Sequence, residues 1–304
     1  MIDCVFSDCI DVDMLFEKHG FKKSLYVVFR IGSDGKIYIL PEPERCGENR
    51  ERYSVIILEV DWDEEKLISS SCHDLGEFDP GYYHIQPIGE NILMVNSRCC
   101  YNRGNPDKNA TLLTLDGKTI NKFCFGDGIQ DVYIRPDKTI VTSYFDEGVI
   151  GNLGWNYAND VTPIGHSGLI VWNEAGEQLF QAEHDIVDCY AMNIDNKSRI
   201  WYYYYDDFKL VCLSESGEIE YEPQIEGADF FVLTEDGRKI IFDSGYDKHG
   251  TYVIFDLYKN DKNEKVRFLF KGDELILANH RSYGSKALFV DNENRMFIRR
   301  FYCV

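Results

Sequence analysis

Short apolar stretches alternate along the whole chain with tight polar turns, and this rhythm predicts repeated β-hairpins. One set of turns is Gly32-Ser33-Asp34-Gly35-Lys36, Gly89-Glu90-Asn91, Arg135-Pro136-Asp137-Lys138, Asp195-Asn196-Lys197-Ser198, Thr234-Glu235-Asp236-Gly237-Arg238 and Asp291-Asn292-Glu293-Asn294-Arg295. Asp, Asn and Gly supply the positive φ and the local side-chain bonds that hairpin turns require. Each turn leads into a β-rich run, such as Ile37–Leu40, Ile140–Tyr144 or Ile200–Tyr205. A second hairpin follows in each unit, turning at Asp61–Lys66, Asp116–Lys118, Asn173–Glu177, Ser214–Glu218 and, more loosely, Lys259–Glu264. Five four-stranded units and a half, repeating at roughly 40–50 residues, predict an all-β fold, a β-propeller of six blades.

The half unit bears on the N-terminus. Cys4-Val5-Phe6 and Val12–Phe16 precede the first complete unit. They are expected to close the ring as strands of the last blade, within residues 1–20, because closure removes an exposed sheet edge. A short helix over residues 11–19 is the alternative. A prior of about 150 residues per domain would divide the chain in two, but propellers exceed that prior, so residues 1–304 are read as one domain.

In a propeller, the first-to-second and third-to-fourth turns of the blades share one face. Strand starts and second-to-third connections share the other. Here the first set is short and regular. The second is long and irregular, at residues 42–52, 96–109, 146–167 and 243–250. Irregular loops on a rigid scaffold are where binding residues concentrate. Aligning the units on their turns puts Asp131, Asp188 and Asp229 at the starts of three successive inner strands, pointing toward the mouth of the central channel. Asp146-Glu147, Asp206-Asp207 and Asp243 follow on the same face. Gathered carboxylates repel unless a cation, an arginine or a shared proton offsets them. The mouth is therefore expected to take a positive visitor, with Asp131, Asp188 and Asp229 as candidate ligands for Ca²⁺, Mg²⁺ or Mn²⁺. The plainer alternative is that each Asp caps nearby backbone amides.

The stretch from Tyr144 to Gly168 stands out within the repeat. Gly148, Gly151, Asn152 and Gly154 permit tight turns, while Trp155 and Tyr157 offer flat apolar surface. This loop is expected to fold over the channel and bring His166, Trp155 and Asp146 beside the Asp cluster. Otherwise it is an Ω-like loop capping blade ends. The run Trp201-Tyr202-Tyr203-Tyr204-Tyr205 is read mainly as packing between blades, with Tyr204 and Tyr205 nearest the loop end.

The segments Gly126–Val132, Tyr144–Trp155, Gly168–Trp172 and Asp188–Asn193 resemble those of a group of uncharacterised bacterial β-propeller proteins, over roughly residues 123–213. That likeness implies a fold and no activity. A looser likeness is to six-bladed propellers of the gluconolactonase and senescence-marker type. It implies a divalent metal at the channel mouth, held in that family by Glu, Asn and Asp and activating a lactone or water. Asp131, Asp188 and Asp229 stand at the corresponding strand starts and do not reproduce that ligand pattern.

Composition narrows the classes. The chain has 52 Asp and Glu against 32 Lys and Arg, a formal charge of −20, and 44% hydrophobic residues. It is too apolar for a disordered acidic tail and too acidic to neutralise nucleic-acid phosphates directly. No apolar run is long enough for a membrane helix, and the first residues do not read as a signal peptide. Ten cysteines without a C-x-x-C fit a reduced cytoplasmic setting, with Cys124 and Cys212 as small hydrophobes in apolar runs. No phosphate-binding loop, dinucleotide fingerprint, zinc-protease or EF-hand motif is present. The expectation is a cytoplasmic binding module whose acidic, loop-rich face takes a small molecule, a cation or a basic protein. The alternative is a divalent-metal-assisted hydrolase, lactonase-like, with His166 or Glu147 carrying protons.

Overall fold

The computed structural model describes residues 1–24, 27–156, 160–246 and 248–303. Six sheets, each built on four antiparallel strands, form a six-bladed β-propeller. Blade 1 runs Val28–Ile31, Ile37–Leu40, Glu51–Asp61, Lys66–Phe78, and blade 2 runs Tyr82–Ile88, Asn91–Asn96, Ala110–Thr114, Thr119–Phe123. Blade 3 comprises Ile129–Ile134, Ile140–Tyr144, Leu169–Trp172 and Gln178–Gln181. Blade 4 comprises Asp188–Ile194, Ile200–Tyr205, Leu210–Ser214 and Gly217–Tyr221. Blade 5 takes Phe231–Leu233, Lys239–Asp243, Tyr252–Asp256 and Asp261–Phe270. In every blade the first strand is innermost, and each inner strand touches the inner strands of both neighbouring blades around the ring.

A blade buries both faces against its neighbours, so its second strand is buried along most of its length rather than alternating. Ile37–Leu40 and Trp201–Tyr204 are buried at every position. The cores lie between blades. Leu93, Val95 and Phe123 of blade 2 pack with Val132, Ile140 and Trp172 of blade 3. The outermost strands Gln178–Gln181 and Gly217–Tyr221 are short and mostly exposed, and the latter carries two glutamates, which discourages edge pairing.

The last blade closes differently from expectation. Leu277–Tyr283, Lys286–Asp291 and Arg295–Arg300 supply three strands, and the two-residue strand Ile10–Asp11 supplies the fourth. The first hairpin of this blade is the two-residue turn Gly284-Ser285, with Gly284 at φ 60. Asp291–Arg295 is its second-to-third connection and lies on the opposite face. Strand Ile2–Phe6 does not join the last blade at all. It pairs in parallel with Val266–Phe270 at the rim of blade 5 and sends Phe6 onto Phe268 and Phe297.

Val12–Phe16, expected as a closure strand, belongs to a helix, Val12–Lys18. Asp11 caps it by accepting the Met14 amide at 2.9 Å, and Val12, Leu15 and Phe16 are its buried residues. That i, i+3, i+4 spacing behind an Asp cap is a helical signal that outweighs the β-branched start. Among the described residues, no helix is long and apolar enough to cross a membrane.

Candidate functional site

The irregular connections at residues 42–52, 96–109, 146–167 and 243–250 all join second to third strands and so share the face onto which the inner strands open. Asp131, Asp188 and Asp229 stand at or just before the first residues of the inner strands of blades 3, 4 and 5. They do not form one carboxylate cluster. Each has a different partner.

Asp131 is neutralised from within the protein. Its carboxylate lies 3.5 Å from Arg30 Nε on blade 1 and 3.7 Å from His84 Nδ1 on blade 2. Burial alone would raise its pKa, but the positive charges of Arg30 and Arg281 outweigh burial and hold it at about 2. Burial keeps His84 below its ordinary value. The neutral ring accepts from Arg30 at 3.0 Å and donates to Ser97 at 2.9 Å. Burial and the neighbouring Arg30 pull Arg281 down to about 10. Asp131 is thus the counter-ion of the buried Arg30, with the half-buried Arg281 adding its charge. Basic residues inside otherwise strand-like runs, in Phe29-Arg30-Ile31, His84-Ile85 and His280-Arg281-Ser282, were the available sequence signal for this network.

Asp188 is the opposite case. Burial first, and then the nearby charge of Asp146, raise its pKa to about 7, with a smaller offset from the Asp146 amide. Its buried Oδ1 has no hydrogen-bond partner among the described residues. Asp146 comes near because it opens the short helix Asp146–Ile150, which packs on the inner strand of blade 4. Across from Asp188 sits Tyr205. Around Tyr205 an aromatic group has assembled from two blades. The Tyr190 and Tyr205 rings stack at 6.1 Å, Phe208 meets Tyr205 edge-on at 5.4 Å, and Tyr246 bonds to Tyr190 through their hydroxyls at 2.5 Å. Tyr205 and Tyr246 remain 37% and 44% exposed. Asp206 and Asp207 are exposed beside them, with Asp207 3.5 Å from Lys209.

Asp229 and Asp243 meet at a third location. Asp229 accepts from His280 at 3.1 Å, and Asp243 accepts from His249 at 2.8 Å and from the amides of Gly245 and Gly250 at 2.9 Å each. Burial raises the Asp229 pKa, but His280, His249 and Arg281 outweigh it and bring it below the ordinary value. Asp243 is raised by burial, and the neighbouring Asp229 adds to this. Asp229, Asp243 and His249 each offer a ligand atom within 4.8 Å of the others, which makes them the one metal-type trio among the described residues. Of the three candidate metal ligands named from the sequence, only Asp229 belongs to it.

The 146–167 loop does not bring His166 and Trp155 to the channel. Trp155 is 4% exposed, packs against Tyr101 in a tilted arrangement at 4.8 Å, and donates its Nε1–H to the Cys99 carbonyl at 2.8 Å. It is a packing residue, because the loop folds outward onto the 96–109 loop. Glu147 is bound by Arg98, which also grips Asp127 at 3.0 Å and lies over Phe145. His166 sits exposed in the turn Ile164–Ser167, with Nδ1 at 3.1 Å from the Pro163 carbonyl. Tyr157 lies outside the described residues. A separate cavity of about 750 Å³ opens between blades 1 and 2, lined among others by Pro41, Arg45, Tyr53, Tyr82 and Tyr83.

No protein-family model matches the chain, and no curated protein is similar to it in sequence. Among solved structures it is similar to a chain in the crystal structure of the mitotic checkpoint complex, with TM-score 0.53 and 8% identity over 93% of this chain and 80% of that one. It is also similar to a protein of unknown function from Bacteroides caccae, with TM-score 0.47 and 13% identity over 84% and 82% of the two chains. The likeness is one of fold. Propellers carry many unrelated functions, so activity has to be argued from the site.

Proposed function

We propose that the protein is a propeller binding module whose loop-rich face, over blades 4 and 5, receives a cationic segment of a protein partner. The observation that supports this reading is Asp188, a carboxylate with a buried, unpartnered oxygen beside Asp146 and next to exposed tyrosines. An arriving guanidinium or ammonium would satisfy that oxygen, lower the pKa of Asp188 and lie against the faces of Tyr205 and Tyr246. Charge-assisted hydrogen bonds and cation–π contacts are the interactions such a patch offers. The overall charge of −20 would steer a basic partner toward the protein and make association salt-dependent. A cytoplasmic setting belongs to the same proposal.

The test uses a fluorescent peptide of alternating Arg and Gly, titrated by anisotropy at physiological salt. The triple variant Asp188→Asn/Asp206→Asn/Tyr246→Ala should weaken binding at least tenfold. Glu64→Gln/Glu215→Gln, which removes two charges from the hairpin face, should change it less than twofold. Equal losses in both variants would reduce the effect to bulk charge and overturn the reading.

A second reading rests on a separate observation, the Asp229–Asp243–His249 trio. A divalent ion there would be held by one imidazole and two carboxylates, of which the carboxylates suit Mn²⁺ or Mg²⁺. It would act as a Lewis acid on a bound carbonyl or water, as in a lactonase-like hydrolase. That reading predicts ion-dependent stabilisation, set out in the Discussion.

A further inference from the structure

We propose that Cys99 and Cys124 form a reversible redox pair on the loop-rich face, closing to a disulfide when a hydroperoxide oxidises Cys124. Their sulfurs lie 3.7 Å apart, although the two residues come from different elements, the 96–109 connection and the segment after strand Thr119–Phe123. A disulfide requires S–S near 2.05 Å, so the sulfurs must approach by about 1.7 Å. The backbones on both sides are pinned. Cys99 N–H donates to Asp127 at 2.8 Å and its carbonyl accepts from Trp155. Asn109 bonds to the Phe125 amide at 2.9 Å and to the Gly126 carbonyl at 2.9 Å, which fixes the chain just beyond Cys124. The fold therefore holds the two thiols in contact rather than leaving them to meet by chance.

The two sulfurs have different roles. Cys99 is buried, whereas Cys124 is partly exposed and is the one a small oxidant reaches. The contact with Cys99, and then the Gly126 amide, lower the Cys124 thiol against the opposing effect of burial. The thiolate is the attacking form. Cys124 thiolate attacks one peroxide oxygen, the O–O bond breaks, and hydroxide leaves, which yields Cys124 sulfenic acid. The Cys99 sulfur then attacks the Cys124 sulfur, its proton joins the departing hydroxide, and water is released. The sum is two thiols and one hydrogen peroxide giving one disulfide and two waters. The crosslink would tie the 96–109 loop to the connection between blades 2 and 3, and Arg98, the residue before Cys99, already bridges Asp127 of that connection to Glu147.

The experiment is peroxide titration of the folded protein followed by peptide mapping. In Cys100→Ser the tryptic peptide 99–103 keeps a single thiol, and peptide 123–138 contains only Cys124. One equivalent of hydrogen peroxide should join these two peptides in preference to any other cysteine pair, and a thiol reductant should reverse the link. Cys99→Ser should leave a sulfenic acid on Cys124 that dimedone traps, whereas Cys124→Ser should leave none on Cys99. The proposal is overturned if the 99–124 link does not form, if Cys124 passes to sulfinic acid without it, or if other pairs link equally. Performing the same oxidation in urea supplies the random-pairing baseline.

Discussion

Two aspartates at the channel mouth, alike in sequence position, should respond to neutralisation with opposite signs. Asp131→Asn removes the counter-ion of Arg30, whose guanidinium stays buried, and a negative charge that the half-buried Arg281 also feels. Breaking a buried ion pair from one side costs about 3–5 kcal/mol. The folded carboxyl sits at about 2 against roughly 3.9 unfolded, and that shift of roughly two units corresponds to about 2.6 kcal/mol. The two routes meet near 3 kcal/mol. At about 2 °C per kcal/mol for a chain of this size, the midpoint should fall by about 6 °C at pH 7. Because the folded pKa is depressed, this contribution is present above about pH 4, and the gap between wild type and variant should narrow as the pH falls toward 2. Asp188 has a raised folded pKa of about 7, so its ionisation costs the native state. That cost is absent below about pH 4, grows as the pH rises to 7, and is constant above it. Discounted for its solvent-exposed part, it is about 1–2 kcal/mol, so Asp188→Asn should gain about 2–4 °C at pH 8 and nothing at pH 4. Thermal unfolding by circular dichroism at pH 2.5, 4, 6 and 8 measures both. If Asp131→Asn were stabilised at pH 8 like Asp188→Asn, the three carboxylates would be one repelling set awaiting a cation, and the internal neutralisation of Asp131 would be refuted.

Other consequences are measurable on the same protein. Gly128 has φ +71, and a Cβ there would lie 2.3 Å from Gly148 Cα, so Gly128→Ala should cost about 3 kcal/mol in urea unfolding and loosen the 146–167 loop to protease. Phe16→Ala empties the buried face of the N-terminal helix and should lose about 3–5 kcal/mol, read as a lower unfolding midpoint. For chelator-stripped protein, the Asp229–Asp243–His249 reading predicts a rise of about 5 °C with Mn²⁺ or Mg²⁺ at 100 times its dissociation constant, lost in His249→Ala. No shift with either ion would remove that reading.

The repeat was legible because Asp- and Gly-rich turns mark first-to-second and third-to-fourth hairpins with strong local chemistry. The same habit misassigned the last blade. Its real first hairpin, Gly284-Ser285, has no Asp or Asn, whereas the second-to-third turn at Asp291–Arg295 looks like a first hairpin because Asp291 collects the amides of Glu293 and Arg295. Val12–Phe16 has strand-like composition, and only the Asp11 cap reveals its helical period. The acidic face was legible from strand starts. What sat opposite each carboxylate was not. Arg30 and Asp131 are 101 residues apart and meet only because blades 1 and 3 both open onto the channel. Asp229 just precedes the inner strand of blade 5 and His280 lies on that of blade 6, with the whole of blade 5 between them in sequence. Tyr190 and Tyr246 likewise come from separate blades, so the aromatic patch beside Asp188 has no linear signature.

Where a cationic ligand lands is read most directly by hydrogen–deuterium exchange with and without the Arg-Gly peptide. The account predicts slowed exchange confined to residues 186–190, 203–210 and 244–250 around Asp188, Tyr205 and Tyr246. Exchange should be unchanged at the hairpin-face turns 61–66 and 214–218. Protection on the hairpin face, or spread evenly over the acidic surface, would contradict a cation-binding site over blades 4 and 5.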